Sequence, residues 1–220
     1  RAIPVEVLEV KFEKSTKSKS LNAALSAVVK EYDAVVILDA DNTMEPNFLS
    51  KMATKYNRGC KAIQGHRMAK NTNSKLAFLD AMSEEVNNHI FRLGHRKLGL
   101  SCGLIGSAMV FDLTLFKEIM GQIEAVGGFD RELELRLIDR GIRIEYVHDA
   151  YVLDEKVQKQ EVFHNQRRRW LAAQYHYFGR YAFSGLQALF RGRFDYANKV
   201  LQGIQVPRIL LPGLIFILGI

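Results

Sequence analysis

Residues 34–40 read AVVILDA, a short apolar run that ends in a carboxylate and a small residue. Its five consecutive apolar residues leave no alternating polar position, which is typical of a strand buried on both faces of a parallel sheet. An aspartate directly after such a strand lies at the sheet edge where α/β proteins bind ligands. The stretch therefore predicts an α/β domain with polar side chains at the carboxyl end of this strand.

Outward from this stretch, apolar periodicities of two and of about 3.6 residues alternate along the chain. Strands are predicted at 5–10, 34–40, 61–65, 103–112 and 142–147, and helices at 20–32, 45–56, 73–96 and 131–141. Alternation of this kind predicts a layered α/β domain with helices packed on the sheet.

The composition describes a folded, basic protein. Of the 220 residues 48% are hydrophobic and 25% are charged, which excludes a disordered chain. The net charge of +7 favours a polyanionic partner such as nucleic acid, an anionic membrane surface or a phosphorylated substrate, against the alternative of a basic surface that only aids solubility. Cys60 and Cys102 lack metal-like spacing, which indicates free thiols in a reducing compartment.

The end of the chain is apolar. Residues 206–220 read VPRILLPGLIFILGI, and arginines precede this run. Because a cytoplasmic flank is rich in Lys and Arg, we expect the chain to end inside its first membrane helix, with the preceding part in the cytosol. A buried C-terminal helix is the alternative. Residues 184–200 are compatible with an amphipathic helix on the membrane surface or with an ordinary packing helix.

Asp39 and Asp41 follow the apolar strand in the sequence DADN, residues 39–42. Carboxylate oxygens suit a hard divalent cation such as Mg²⁺ or Mn²⁺, which keeps several waters and also binds substrate phosphates. A simple Asp/Asn turn after a strand is the alternative.

A second acidic group follows two glycines in GGFDRELELRL, residues 127–137. Asp130 is suited to act as a general base, or alternatively to cap the predicted helix. Glu132 and Glu134 are expected on that helix, with at least one of them on its solvated face.

Three elements recur here in a characteristic order: DADN, the isolated Asp130 and QRRRW at residues 166–170. KSKSLNAAL (17–25) and GLIGSAMVF (103–111) are supporting matches to a basic loop that opens a helix and to a glycine-rich strand. The chain resembles the membrane-bound, polysaccharide-synthase-like members of glycosyltransferase family 2, which include the cellulose, chitin and hyaluronan synthases and many bacterial relatives.

The resemblance implies a GT-A-like α/β fold, with a mixed, mostly parallel sheet flanked by helices. It implies a partial catalytic domain at 1–160, interfacial helices with the QxxRW motif at 161–205, and the start of a transmembrane segment at 206–220. A first strand and a nucleotide-recognising aspartate are expected before Arg1, so the chain as given would lack the base-binding half of the donor site. The expected location is the bacterial inner membrane, with the catalytic part in the cytosol.

The resemblance also implies inverting sugar transfer from a nucleotide-diphosphate sugar to a glycan or lipid-linked acceptor. Asp39 and Asp41 would hold the donor diphosphate through Mg²⁺ or Mn²⁺, with Asp41 most directly on the metal. Asp130 would be the base, with Glu132 as the fallback, and Lys19 in the basic loop would bind substrate.

By the same resemblance, Gln166, Arg169 and Trp170 would lie where the acceptor and the diphosphate meet. Arg167 and Arg168 fall on variable positions and would face solvent or lipid headgroups. The donor, the acceptor and the membrane are thus the expected partners, and nucleic acid is not expected.

One departure keeps other functions open. The residue before Asp130 is Phe129, where the family usually has a second acid. A catalytically silent, glycosyltransferase-like scaffold is therefore an alternative, as is a module that binds nucleic acid or an anionic membrane through basic and aromatic residues.

Overall fold

The computed structural model describes residues 4–123, 127–205 and 219. The helices are α1 (Lys17–Ala27), α2 (Phe48–Tyr56), α3 (Lys75–Asn87), α4 (His95–Lys97), α5 (Leu113–Met120), α6 (Phe129–Asp139), α7 (Gln160–Phe190) and α8 (Phe194–Leu201). A π-helical segment, Asn88–Gly94, joins α3 to α4, and a 3₁₀ turn, Gln202–Ile204, follows α8. The strands are β1 (Ala34–Ile37), β2 (Thr43–Met44), β3 (Ala62–Ala69), β4 (Met109–Asp112) and β5 (Ile144–Asp154).

The strands of the described residues form one mixed sheet in the order β1-β4-β3-β5-β2. Within that sheet only β3 and β5 are parallel, and the other pairings are antiparallel. The α/β fold is confirmed, but the expectation of a mostly parallel sheet is wrong. The apolar run of β1 misled the prediction, because β1 lies at the sheet edge and is only partly buried.

The predicted strand at 5–10 is also wrong. These residues form no regular secondary structure, and Val5 and Val7 are exposed. Alternating residues fit a strand, but a strand needs a hydrogen-bonded neighbour. The sheet of the described residues offers this segment no such partner.

Two apolar clusters cover opposite faces of the sheet, because successive strand residues point to opposite sides. Phe111 of β4 stacks on Phe116 of α5, with 4.8 Å between the ring centroids, in the larger cluster with α6 and α8. Val110 contributes to the smaller cluster, where Phe48 and Met52 of α2 are buried. Helices therefore flank both faces, which fixes the loops at the strand ends.

The C-terminal helices pack on the domain. Gly185 of α7 meets Val200 of α8 so closely that a methyl group on the glycine would lie 2.6 Å from Val200 Cγ1. Gly192, with φ of +72°, separates α7 from α8, so residues 184–200 form no single helix. Lys199 is buried, so this face of α8 packs on the domain, as the alternative of an ordinary packing helix predicts.

The predicted membrane segment at 206–220 lies outside the described residues, apart from position 219. None of the helices in the described part of the chain combines the length and the apolar composition of a membrane-spanning helix.

Candidate functional site

The DADN loop leaves β1 and folds back on itself. The backbone N–H of Asp39 donates to Asn42 Oδ1 at 3.2 Å and to Ser107 Oγ at 3.1 Å. Asp39 is partly exposed and Asp41 is exposed. Both carboxylates therefore lie at the protein surface, at the carboxyl end of β1 as the sequence predicts.

Lys17, at the start of α1, reaches into this loop. Its ammonium pairs with the Asp39 carboxylate, donates to the carbonyl of Gly106 at 2.7 Å and lies 5.7 Å from the ring centroid of Phe129. Lys19, which the sequence analysis favoured, instead donates to the carbonyl of Lys14 at 3.1 Å in an exposed position. Since residues two apart point to different sides of a helix, only one of these lysines can face the site.

The helix cap at Thr16 is a sequence signal that points to Lys17 rather than Lys19 at the site. Thr16 caps α1, its Oγ1 accepting from the Lys19 N–H at 3.3 Å, so Lys17 is the first helical residue. A Thr cap recognised in the sequence would have moved the predicted helix start from 20 to 17.

Asp130 lies next to Gly106, whose carbonyl accepts from Lys17. A methyl group on Gly106 would lie 3.5 Å from Asp130 Oδ2, and φ of +77° at this position favours glycine. Burial raises the pKa of Asp130, and Glu134 adds to the increase while Arg131 opposes it. The structure therefore brings Asp39, Lys17 and a carboxylate with a raised pKa around one glycine.

Helix α7 packs against the glycines that precede Asp130 and the start of α6. Gly128 has φ of +64°, and a methyl group there would lie 2.8 Å from Ala173 Cβ. The Tyr177 hydroxyl lies 3.2 Å from the Gly127 carbonyl and 3.3 Å from Glu132 Oε2, and donates to these acceptors. The sequence does not single out Tyr177, because aromatic residues such as those at 174–183 more often form core or membrane-interface belts than line an acceptor channel.

Glu132 and Glu134 are both buried, so the expected solvated face of α6 is wrong for them. Arg136 Nη2 lies 2.8 Å and Arg180 Nη1 3.7 Å from Glu132 Oε1. Lys199 Nζ lies 2.9 Å from Glu134 Oε1. Each carboxylate is thus already neutralised by a cation within the fold.

Gln166, Arg169 and Trp170 lie on the first half of α7. Arg169 is exposed, and 46% of Trp170 is accessible. Within the described ranges no hydrogen bond or ion pair joins these residues to Asp39, Asp41 or Asp130.

Arg167 does more than face solvent, although 36% of its side chain stays exposed. Its guanidinium lies between the rings of Phe163 and Trp170, at 4.9 and 5.1 Å from their centroids, and donates to Asp80 Oδ1 at 2.6 Å. This contact ties α7 to α3, whereas Arg168 is exposed as expected.

The carboxylates of Asp39 and Asp41 are of the type that binds a divalent cation when a substrate supplies further ligands. Asp41 accepts one hydrogen bond, from Asn42 Nδ2 at 3.1 Å, and keeps oxygen lone pairs open to solvent, whereas Asp39 is engaged by Lys17. No group of three or more His, Cys, Asp or Glu that could hold a metal occurs in the described residues. Mg²⁺ and Mn²⁺ suit such a donor set, since they bind through one or two carboxylates together with phosphates and water.

Comparison with known families identifies the family of this chain. The family model described as "Glycosyltransferase like family 2" matches residues 2–173 of the 220. The match includes Lys17, the DADN loop, Gly106, Asp130 and the first half of α7. The chain therefore belongs to glycosyltransferase family 2.

Proposed function

We propose that this chain is the catalytic part of an inverting glycosyltransferase. It moves a sugar from a nucleotide-diphosphate sugar to a growing glycan or lipid-linked acceptor, at the cytosolic face of a bacterial inner membrane. The observation that carries the proposal is the convergence of Lys17, Asp39 and Asp130 at Gly106. Transfer of a sugar from a diphosphate to a hydroxyl requires a cation beside the leaving diphosphate and a base beside the acceptor hydroxyl.

Asp130 is the proposed base. It takes the proton of the acceptor hydroxyl while the oxygen attacks the anomeric carbon and the bond to the diphosphate oxygen breaks. A base works best when its pKa lies near the working pH, and burial moves the pKa of Asp130 upward in that direction. Glu132 is a weaker candidate, because Arg136 and Arg180 already neutralise it.

The diphosphate side of the reaction belongs to Lys17, Asp39 and Asp41. A divalent cation on the carboxylates would supply charge stabilisation to the leaving diphosphate. Lys17 adds a fixed positive charge, held in place by Asp39 and by the Gly106 carbonyl. Asp41, whose carboxylate is the less engaged, is the proposed principal metal ligand.

Phe129 does not argue against catalysis. It is buried in the core, and its ring faces the Lys17 ammonium. The residue that replaces the family's second acid thus helps to seat a lysine of the site. Gln166, Arg169 and Trp170 on α7 are the proposed acceptor and diphosphate contacts, because α7 also supports the Asp130 loop through Tyr177.

Exposed apolar residues support the membrane part of the proposal. Phe183, Phe190 and Phe194 are each more than half accessible, and Arg191 and Arg193 lie beside them in the chain. Aromatic and basic residues together are typical of a surface that meets phospholipid headgroups.

Lys17 and Lys19 form a matched pair for testing donor binding. We expect Lys17→Ala to weaken nucleotide-diphosphate binding about tenfold or more, because it removes a cation beside the phosphates. Hydrogen bonds to charged groups contribute about 1.5–3 kcal/mol, which corresponds to a loss of this size. Lys19→Ala, two residues away with the same charge change, should alter affinity less than about twofold. Calorimetric titration measures both, and equal losses in the two variants would mean that Lys17 acts only through general charge.

The function itself is tested by incubating the full-length protein, in detergent, with a panel of nucleotide-diphosphate sugars and Mn²⁺. We expect release of nucleoside diphosphate with one donor, dependent on the metal, and lost in Asp41→Ala. Turnover that stays metal-dependent in Asp41→Ala would contradict its role as a ligand. No release with any donor, combined with oligonucleotide binding that weakens steeply with salt, would favour a nucleic-acid-binding module instead.

A further inference from the structure

The side chain of Asn42 makes every hydrogen bond that a primary amide can make. Its Oδ1 accepts from the Asp39 N–H at 3.2 Å and from the Ser107 hydroxyl. Its Nδ2 donates to Asp41 Oδ1 at 3.1 Å and to Asp154 Oδ1 at 3.0 Å. A half-buried side chain that is fully paired with four separate groups fixes their relative positions.

Behind Asn42 lies a cluster of four charges, which we call the buried quartet: Arg67, Glu84, Asp154 and Lys156. Lys156 pairs with Glu84 and, at 2.9 Å, with Asp154, while Arg67 Nε donates to Glu84 at 2.7 Å. Glu84, Asp154 and Lys156 are buried, and the two cations balance the two carboxylates.

The quartet holds the Asp154 carboxylate in place. Burial alone would raise the pKa of Glu84, but Arg67 and Lys156 together keep it below its ordinary value. Arg67 also lies 3.6 Å from Asp154, so both acids face cations. Asp154 therefore presents a fixed acceptor to Asn42, and a buried network of this kind moves little because breaking it leaves an unpaired charge.

We propose that Asn42 is a positioning residue that couples the Asp41 carboxylate and the backbone of Asp39 to the buried quartet, and so presets the two aspartates for a divalent cation. This inference rests on the proposed function. Asn42 touches no substrate itself. It acts by orienting Asp41 directly and by fixing the backbone of Asp39, whose N–H also donates to Ser107 Oγ.

Hydrogen bonds behind a metal ligand commonly change metal affinity by about 10- to 100-fold. We expect Asn42→Ala to weaken the Mn²⁺-supported part of nucleoside-diphosphate binding by at least about tenfold. Asn42→Leu, whose side chain has a similar branched shape but makes no hydrogen bond, should lose as much. Ser107→Ala should lose less, because Asn42 still binds the Asp39 N–H.

The measurement is calorimetric titration of the full-length protein with nucleoside diphosphate, with Mn²⁺ and with EDTA, together with Mn²⁺ electron paramagnetic resonance and the unfolding temperature. Positioning predicts that only the Mn²⁺-supported part falls, while binding in EDTA and the unfolding temperature stay near wild type. Asn57→Ala, at an exposed asparagine, is the matched control.

Two results would overturn the inference: unchanged Mn²⁺-supported binding in Asn42→Ala, or equal losses with Mn²⁺ and with EDTA together with a lower unfolding temperature. The wild-type protein separates this failure from failure of the proposed function. If wild type binds no nucleoside diphosphate with Mn²⁺, the proposed function fails, and the inference with it.

Discussion

Asp130→Asn is expected to lower the turnover number by roughly 100- to 10,000-fold, the range that general base catalysis contributes. The amide has nearly the same shape as the carboxylate but cannot take a proton from the acceptor. Donor affinity should change little, because Lys17 and the DADN loop are untouched. Initial rates with saturating donor, and donor binding by calorimetry, measure the two quantities separately.

The same substitution, which lowers turnover, is not expected to lower the stability of the fold. Because burial raises the pKa of Asp130 in the folded state, the native protein binds this proton more tightly than the unfolded chain does. The ionised carboxylate therefore destabilises the fold at neutral pH. This destabilisation decreases as the pH falls from the pKa of Asp130 in the folded state to the lower pKa of an aspartate in the unfolded chain. Asp130→Asn should thus unfold at an equal or higher temperature than wild type at neutral pH, with a smaller difference in acid.

The pH dependence of wild-type turnover is expected to follow from the same shift. Turnover should rise with pH as Asp130 loses its proton, with a midpoint above that of an ordinary aspartate. Asp33→Asn, at an exposed aspartate, serves as the control and should leave rate and profile unchanged. Full turnover in Asp130→Asn would reject Asp130 as the base and return attention to Glu132.

Lys199→Met is expected to destabilise the fold by about 3–5 kcal/mol, the effect of removing one partner from a buried ion pair. The Lys199 ammonium is fully buried, 2.9 Å from Glu134 Oε1, and the other oxygen of Glu134 accepts from the Leu104 N–H at 3.0 Å. Methionine fills the same space but leaves Glu134 with only the more distant Arg131. Urea denaturation followed by far-UV circular dichroism gives the free energy of unfolding.

A second substitution distinguishes lost charge pairing from lost packing. Lys199→Met combined with Glu134→Gln should recover about 2 kcal/mol or more, because no unpaired charge remains and the glutamine can still accept from Leu104. Glu118→Gln breaks the exposed pair with Arg140 and should change stability by less than about 1 kcal/mol. A double variant as unstable as Lys199→Met alone would assign the loss to packing.

Local patterns in the sequence were sufficient for much of the fold. The helix of 73–96 appears as α3, the π-helical segment and α4, and Gly141, with φ of +74°, ends α6 as expected. Strand directions were not predictable in the same way. An apolar run such as AVVILDA indicates a strand. How deeply that strand is buried, which neighbour it pairs with and in which direction depend on contacts distant in sequence.

For the candidate site, the sequence identified residue types and their order. Asp39, Asp41 and Asp130 stand out through their order along the chain together with QRRRW, which is the order that the family resemblance rests on. The choice between Lys17 and Lys19 required the helix start, and the burial of Glu132 and Glu134 required the packing of α7 and α8 onto α6. The sequence alone does not predict the hydrogen bond between Asn42 and Asp154, which lie 112 positions apart.

The sequence by itself determined the α/β class, the family resemblance and the carboxylates that we propose as metal ligands and as the base. These properties follow from side-chain chemistry and short-range periodicity, which neighbouring residues carry. Only the tertiary structure decided which lysine faces Asp39, which acids are neutralised and what holds the DADN loop. These properties depend on distances between residues far apart in the chain, and on burial, which raises the free energy of every charge that lacks a partner.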